Sequence, residues 1–358
     1  METAAVDWSM GSRSDVLIDW GTAAETGRRV GGPGPRTPAV ERARLREDLA
    51  ELIPLSESLI GDFTGLRTNG ARSRAWVMSR GEWVGANLKA LQRLLEPLAG
   101  KLVPEGARRS EFRRKALGAQ VGLLLGYVSR KVLGQYDVFL PPDDEGMLYF
   151  VGPNVVEAEG RFGLPRRDFR LWIAIHEVTH RVQFAAAPWL RSHIRGQVDR
   201  YLGTISLEST DLATQLRRAI DEVRAGADIR GMGGIFLLLN EEQREIVKHV
   251  QGVMSLLEGH ASFVMNEVAK DHVADLPKMR TALAERRRRA SGAERAFQRA
   301  IGFDKKIEQY DAGERFVREV VSSSGMAGFN RVWLAPESLP TVEEIAEPDR
   351  WVARVAGS

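Results

Sequence analysis

The sequence predicts a mainly α-helical globular protein with one small β element, and three observations carry that prediction. Apolar residues recur at helical spacing over most of the 358 residues, the pattern of helices that bury one face. The clear β signal is confined to 136–151. There Tyr136-Asp137-Val138-Phe139-Leu140 and Met147-Leu148-Tyr149-Phe150-Val151 flank Pro141-Pro142 and the turn Asp143-Asp144-Glu145-Gly146, as in a hairpin. Shortly after it, Arg170-Leu171-Trp172-Ile173-Ala174-Ile175-His176-Glu177-Val178-Thr179-His180 reads as an apolar helix carrying His-Glu-x-x-His.

Composition bounds the function. Hydrophobic residues at 43% and charged residues at 28% are ordinary for a globular chain. A net charge of +3 gives no case for nucleic acid and little for a membrane surface. The absence of cysteine excludes disulfides and thiolate-held zinc. No basic region followed by an apolar run opens the chain, and no apolar stretch approaches ~20 residues, so neither a signal peptide nor membrane insertion is expected and the expected location is cytoplasmic.

Taken in order, Asp15-Val16-Leu17-Ile18-Asp19-Trp20 begins a short helix or strand that must stop by Gly31-Gly32-Pro33-Gly34-Pro35, a breaker run. Residues 1–37 are thus expected to be an N-terminal segment and linker. Residues 38–358 form one domain, with a helical part at 38–135 and a catalytic part at 136–358. Leu45, Leu49, Leu52 and Ile53 mark one face of a helix over 38–63, with Pro54 kinking or restarting it. Glu82-Trp83-Val84 opens another helix through Leu88, Leu91 and Leu95, ending near Pro97 and Gly100. In the helix predicted from Arg109 to Leu133, Gly118, Gly122 and Gly126 recur every four residues and invite close approach by another helix. Arg113, Arg114, Lys115, Arg130 and Lys131 rule out a membrane dimer motif there. Pro165 suits the first turn of the His-Glu-x-x-His helix. Further helices are predicted at about 188–204, 207–225, 241–270, 275–300 and 304–323, with a break at Gly231-Met232-Gly233-Gly234. The charge run Ala284–Arg289 reads as a solvated face, because no aromatics interleave it. The Pro-rich tail from Trp333 is expected to be extended and to pack back through Trp333, Leu339 and Trp351. No internal repeat is visible.

The motif has a direct chemical reading. Residues four apart share one face of a helix, so His176 and His180 can grip one ion. Glu177, about 100° round the axis, reaches a water on that ion rather than the ion itself. Two imidazoles with an adjacent glutamate form the zincin arrangement. A catalytic zinc usually has three protein ligands, so one more must come from elsewhere. Met254-Ser255-Leu256-Leu257-Glu258-Gly259-His260-Ala261 supplies the candidates, since a carboxylate or imidazole in an apolar helix is costly unless paired or metal-bound. Residues two apart face different sides, so Glu258 and His260 do not both bind one ion. Glu258 is preferred as the third ligand. Gly259 would let a neighbouring helix or the metal approach. His260 is assigned a catalytic part, donating to the substrate oxyanion or to a supporting partner. His193, His249 and His272 are read as surface or capping residues.

Several stretches together resemble a family. These are Gly31-Gly32-Pro33-Gly34-Pro35, Trp83-Val84-x-x-Asn87, Leu133-Gly134-Gln135-Tyr136-Asp137, His176-Glu177-Val178-Thr179-His180, Leu257-Glu258-Gly259-His260-Ala261, Gln309-Tyr310-x-x-Gly313-Glu314-Arg315-Phe316-Val317 and Leu339-Pro340-Thr341. Over nearly its whole length the chain resembles a group of actinobacterial zincin-like hydrolases and uncharacterised zinc-dependent metalloproteases, one branch of which is associated with biosynthesis of a deazaflavin coenzyme. The resemblance implies a mostly helical zincin-like fold with the motif on a central helix, His176 and His180 as ligands, Glu177 as acid/base and Glu258 as third ligand. The coenzyme association follows the genomes that carry the family, and no coenzyme binding is expected. Phe316 and Tyr310 are expected in the core, the alternative for Tyr310 being to assist an oxyanion.

The expected function is zinc-dependent hydrolysis, with one zinc per chain and a peptide or other amide as substrate. Glu177 takes a proton from water and passes it to the leaving amine. The strand at 147–151 could pair with an extended substrate by main-chain hydrogen bonds. The rival expectation is a non-catalytic scaffold that keeps a structural or vestigial metal site; an intact Glu177 favours the enzyme.

Overall fold

The computed structural model describes residues 17–68, 70, 73–102, 110–137, 146–204, 239–288 and 303–356. It is mainly helical, as the sequence predicts. Two compact units are distinguished, one from Met1–Ser58, Gly70–Arg181 and His272–Ala274, the other from Leu59–Asn69, Val182–Asp271 and Asp275–Ser358. Among the described residues no helix is long and apolar enough to cross a membrane.

The first unit contains α1 (Trp20–Gly31), most of α2 (Ala39–Thr64), α3 (Arg80–Leu102), α4 (Glu111–Ser129), α5 (Gly152–Phe162), most of α6 (Arg166–Ala186) and a three-stranded sheet. Asp19 caps α1 by accepting the Thr22 N–H at 2.7 Å. The helix ends at Gly32, whose φ of 61° takes the chain out of the helical region, where the breaker run requires it. This segment is more than a linker. A Cβ on Gly118, Gly122 or Gly126 of α4 would collide with the carbonyl oxygens of Asp19, Ala23 or Gly27 of α1. The glycine repeat therefore serves helix packing inside the protein. Leu17, Ile18, Trp20 and Ala23 join Trp83, Val84 and Leu88 of α3 in one apolar cluster.

The sheet has the order β1-β3-β2, with β1 at Ala75–Met78, β2 at Gly134–Asp137 and β3 at Met147–Val151. β2 and β3 form the expected antiparallel pair, and β1 runs parallel to β3. The remainder of the strand expected at 136–140 lies outside the described residues. In this unit β1 and α5 have no counterpart in the sequence reading. β1 is four residues long, too short for period-two alternation to register. α5 is short and interrupted by Gly160, and ends at Gly163 in the left-handed conformation. The sheet order also corrects one expectation: β3 is bonded on both sides, so 147–151 cannot be a substrate-pairing edge, and β2 stands at the edge instead.

The second unit is built on α8 (Glu241–Ala269) and α10 (Phe303–Phe329), with α7 (Trp189–Gly203), α9 (Leu276–Arg288), α11 (Val342–Ala346) and α12 (Pro348–Trp351) around them. Gly259 of α8 and Gly313 of α10 meet so closely that a Cβ on Gly259 would fall on the Gly313 main chain, and one on Gly313 on the Ser255 carbonyl. Gly259 thus admits a neighbouring helix. α10 outruns the expected 304–323 and is broken at Gly325, whose φ is 71°. The tail is not extended as expected but runs through short helical turns, among them Pro336–Ser338, α11 and α12; it does pack back, with Trp333, Leu339 and Trp351 buried and the Trp351 indole donating to the Ser338 carbonyl at 2.8 Å. Phe316 is buried. The Tyr310 side chain, the helix expected at 207–225, the glycine break at 231–234 and residues 289–300 lie outside the described residues, as do most side chains of the charge run.

Replacing Gly122 with Ala is expected to destabilise the protein by about 1–3 kcal/mol, because the main chain of α1 cannot yield to the added methyl as a side chain could. A fall in the urea midpoint at unchanged slope is the readout.

Candidate metal centre

Helix α6 carries the motif and is buried on nearly all sides. Phe169, Trp172, Ala174, Ile175, Val178 and Val182 are all in the core. A helix apolar all round has no solvated face to fix its rotation, so its polar residues do so. Within the first unit, arginines tie α6 to carboxylates along α2. Arg166 meets Glu41 at 3.2 Å and Arg167 meets Glu51 at 3.4 Å, but both arginines are largely exposed and add little. Arg170 and Arg181 are the buried ones. Arg181 reaches Glu57 at 2.7 Å, a carboxylate that also accepts from Ser73. Arg170 holds Glu159 of α5 through two bonds of 2.7 and 2.8 Å and Asp48 of α2 at 2.7 Å. Burial works against its charge, but the bonds and charges of Glu159 and Asp48 hold the guanidinium above its ordinary pKa. Pro165 stands just before the first turn, its carbonyl accepting the Phe169 N–H at 2.9 Å.

His176 and His180 point their Nε2 atoms together, 3.3 Å apart, with ring planes at 89°. Two ligand nitrogens on one tetrahedral zinc, each about 2.0–2.1 Å from it, stand about 3.3 Å apart. A second imidazole pair gives a contrast. His193 and His249 have the same ring-centre separation of 4.9 Å, yet their Nε2 atoms are only 2.7 Å apart. Those two nitrogens aim at each other, as in an N–H···N hydrogen bond. The α6 pair stands farther apart, at the spacing that two nitrogens on one zinc would have. The residues therefore fit zinc.

His176, His180 and Glu258 each offer one ligand atom, and these atoms lie within 4.8 Å of one another. Among the described residues they form the group of this kind, and all three are half-buried. His260 is not in the group. It is fully buried, stacked on Phe329 at 5.1 Å with the Trp333 ring edge-on at 5.3 Å. Gln183 lies one turn after His180 on α6. Its amide nitrogen donates to the Leu257 carbonyl at 2.8 Å and pairs with His260 Nδ1 at 3.0 Å. Since the amide donates, the neutral imidazole carries its proton on Nε2. Gln183 thus grips α8 on either side of Glu258, a role that the sequence reading missed.

Glu177 is 6% exposed. Its neighbour in the first unit is the start of β2: a Cβ on Gly134 would lie 2.6 Å from both Cγ and Oε1 of Glu177. The next residue of β2, Gln135, exchanges amide hydrogen bonds with Asn87 of α3 at 3.1 and 3.3 Å. Asp137 accepts from the Tyr149 hydroxyl at 2.8 Å. The stretches Trp83-Val84-x-x-Asn87 and Leu133–Asp137, whose juxtaposition the sequence reading did not foresee, thus meet at the edge strand beside the glutamate.

The helical fold and this donor set define a zinc hydrolase in the broad sense. Residues 18–352 match the zincin-like metallopeptidase family, and the chain belongs to that family. It is also similar to a protein from Chloroflexus aurantiacus whose crystal structure carries a provisional hydrolase assignment and a fold described as novel. The TM-score is 0.70 at 33% identity, covering 94% of this chain and 98% of that one. No protein of curated function matches.

Two measurements follow. Arg170→Met is expected to cost about 3–5 kcal/mol, because Glu159 is left charged and buried; adding Glu159→Leu should recover most of the loss. Urea titration of both variants distinguishes a broken ion pair from general loss of packing. The second concerns His193 and His249, each held below the ordinary imidazole pKa by burial. Glu337 opposes the shift at His193, while His193 and Arg200 add to it at His249. The unfolded chain, with imidazoles titrating near 6.5, then binds more protons than the folded one. Their stability contribution is complete above about pH 6.5 and is lost as pH falls toward the lowered folded values. His249→Gln should flatten that loss in thermal unfolding followed across pH 5–7.

Proposed function

We propose that the chain is a peptidase-like zinc hydrolase holding one zinc through His176, His180 and Glu258, with Glu177 as its acid/base. The carrying observation is the convergence of His176 and His180 Nε2 at 3.3 Å beside a carboxylate within ligand reach. When bound, zinc supplies Lewis acidity at the substrate carbonyl and lowers the pKa of a water toward about 7. The Glu177 carboxylate accepts a proton from the attacking water. Oxygen bonds to the carbonyl carbon, the C–N bond breaks, and Glu177 returns the proton to the departing amine. Burial of Glu177 limits loss of the transferred proton to bulk water. The edge position of β2 supports an extended peptide as substrate, bound by main-chain hydrogen bonds. His260 is proposed as a positioning residue: through Gln183 it holds the α8 turn that carries Glu258.

The test is metal content and turnover together. Protein purified without added metal should carry about one zinc per chain, and His176→Ala should lose it. Glu177→Gln should keep zinc and fold and lose turnover of a quenched-fluorescent peptide. Zinc retained with unchanged turnover in Glu177→Gln would remove the mechanism. A native chain that takes up no zinc would leave a non-catalytic scaffold in its place.

A further inference from the structure

We infer that Gly134 is a positioning residue that registers the Glu177 base and the substrate main chain to one point; the inference rests on the proposed role of Glu177. Two observations meet at this residue. The first is steric. The Glu177 side chain lies where any side chain at 134 would begin, with Cγ and Oε1 each 2.6 Å from an ideal Cβ. The carboxylate is thus seated directly against the main chain of β2, and only glycine leaves it room. Arg170 and Arg181, on either side of Glu177 along α6, are pinned to α2, so the helix cannot roll away from an added methyl.

The second observation is the direction of the Gly134 main-chain groups. In an antiparallel ladder, opposed residues alternate between pairs that exchange hydrogen bonds and pairs that do not. The Val151 N–H donates to the Leu133 carbonyl at 2.9 Å, so Leu133 and Val151 are a bonded pair. Gln135 opposite Tyr149 is the next bonded pair, and Gly134 opposite Phe150 is the non-bonded pair between them. The Gly134 N–H and C=O therefore turn away from β3. Because β2 is the edge of the sheet among the described residues, they turn toward its outer side. The reciprocal Asn87–Gln135 amide pair holds the next residue to α3, which fixes the rotation of the strand. A substrate strand hydrogen-bonded at Gly134 would thus be aligned by the same residue that seats the base.

The test compares the native chain, Gly134→Ala, Glu177→Ala and the double variant. Alanine at 177 removes the Cγ and Oε1 that the added methyl would meet. Gly134→Ala should keep its zinc and lower kcat on a quenched-fluorescent peptide about 100-fold, the scale of a 1 Å misplacement. In the Glu177→Ala background, which lacks the base, its fall in urea midpoint should shrink. A merely structural glycine would lower the midpoint equally in both backgrounds and leave kcat of the zinc-loaded Gly134→Ala protein near native; either result would overturn the inference. If the native chain binds no zinc or cleaves no peptide, the proposed function fails, while the midpoint comparison still decides whether Gly134 seats Glu177.

Discussion

A polar side chain on a helix buried all round must find a partner, because an unpaired buried charge costs several kcal/mol. Helix α6 is under that constraint from Phe169 onward. Its arginines meet it with carboxylates from α2 and α5. Its glutamine meets it with the main chain and an imidazole of α8. The bonds that relieve the burial of these groups also fix the rotation and axial position of the helix. The two histidines and the glutamate between them inherit that placement, which is why the two ring nitrogens stand 3.3 Å apart.

The constraint explains which parts of the site were legible in the sequence. His176 and His180 could be read from spacing alone, since the helical period puts them on one face. Glu258 stood out because a carboxylate in an apolar helix needs a reason to be there. Gln183 and Gly134 gave no such signal. A glutamine at a helix end is ordinary. The importance of Gly134 depends on β2 lying against Glu177, a relation that no local pattern encodes. His193 and His249 were misjudged for a similar reason: they are 56 residues apart, and nothing local says that α7 and α8 face each other.

The fold divides the same way. Long amphipathic helices with clear breakers fell where periodicity put them, as α2, α3, α4 and α8 did. The β2–β3 pair was legible in part: β3 falls on the expected 147–151, but of the strand expected at 136–140 only Tyr136 and Asp137 lie in β2, which begins at Gly134. β1 was not, because four residues carry too little pattern and its pairing with β3 is parallel and distant in sequence. The N-terminal segment was underrated for a different reason. The glycine repeat of α4 announced a close neighbour but could not say that the neighbour was α1.

One hydrogen bond of the second unit bears on how the chain reaches its structure. The Asn330 amide donates to the Thr64 carbonyl, 266 residues earlier, at 2.7 Å. A contact of that span cannot form on a ribosome until nearly the whole chain has emerged, and closing so long a loop is slow. The turn after α2 therefore waits for the last helices of its own unit. Until then the apolar face of α8 exists before its partners in α10 and the tail do. Completion of this unit is a late, whole-chain event, and a nascent chain stalled ahead of residue 330 would be a client for chaperones rather than a smaller version of the protein.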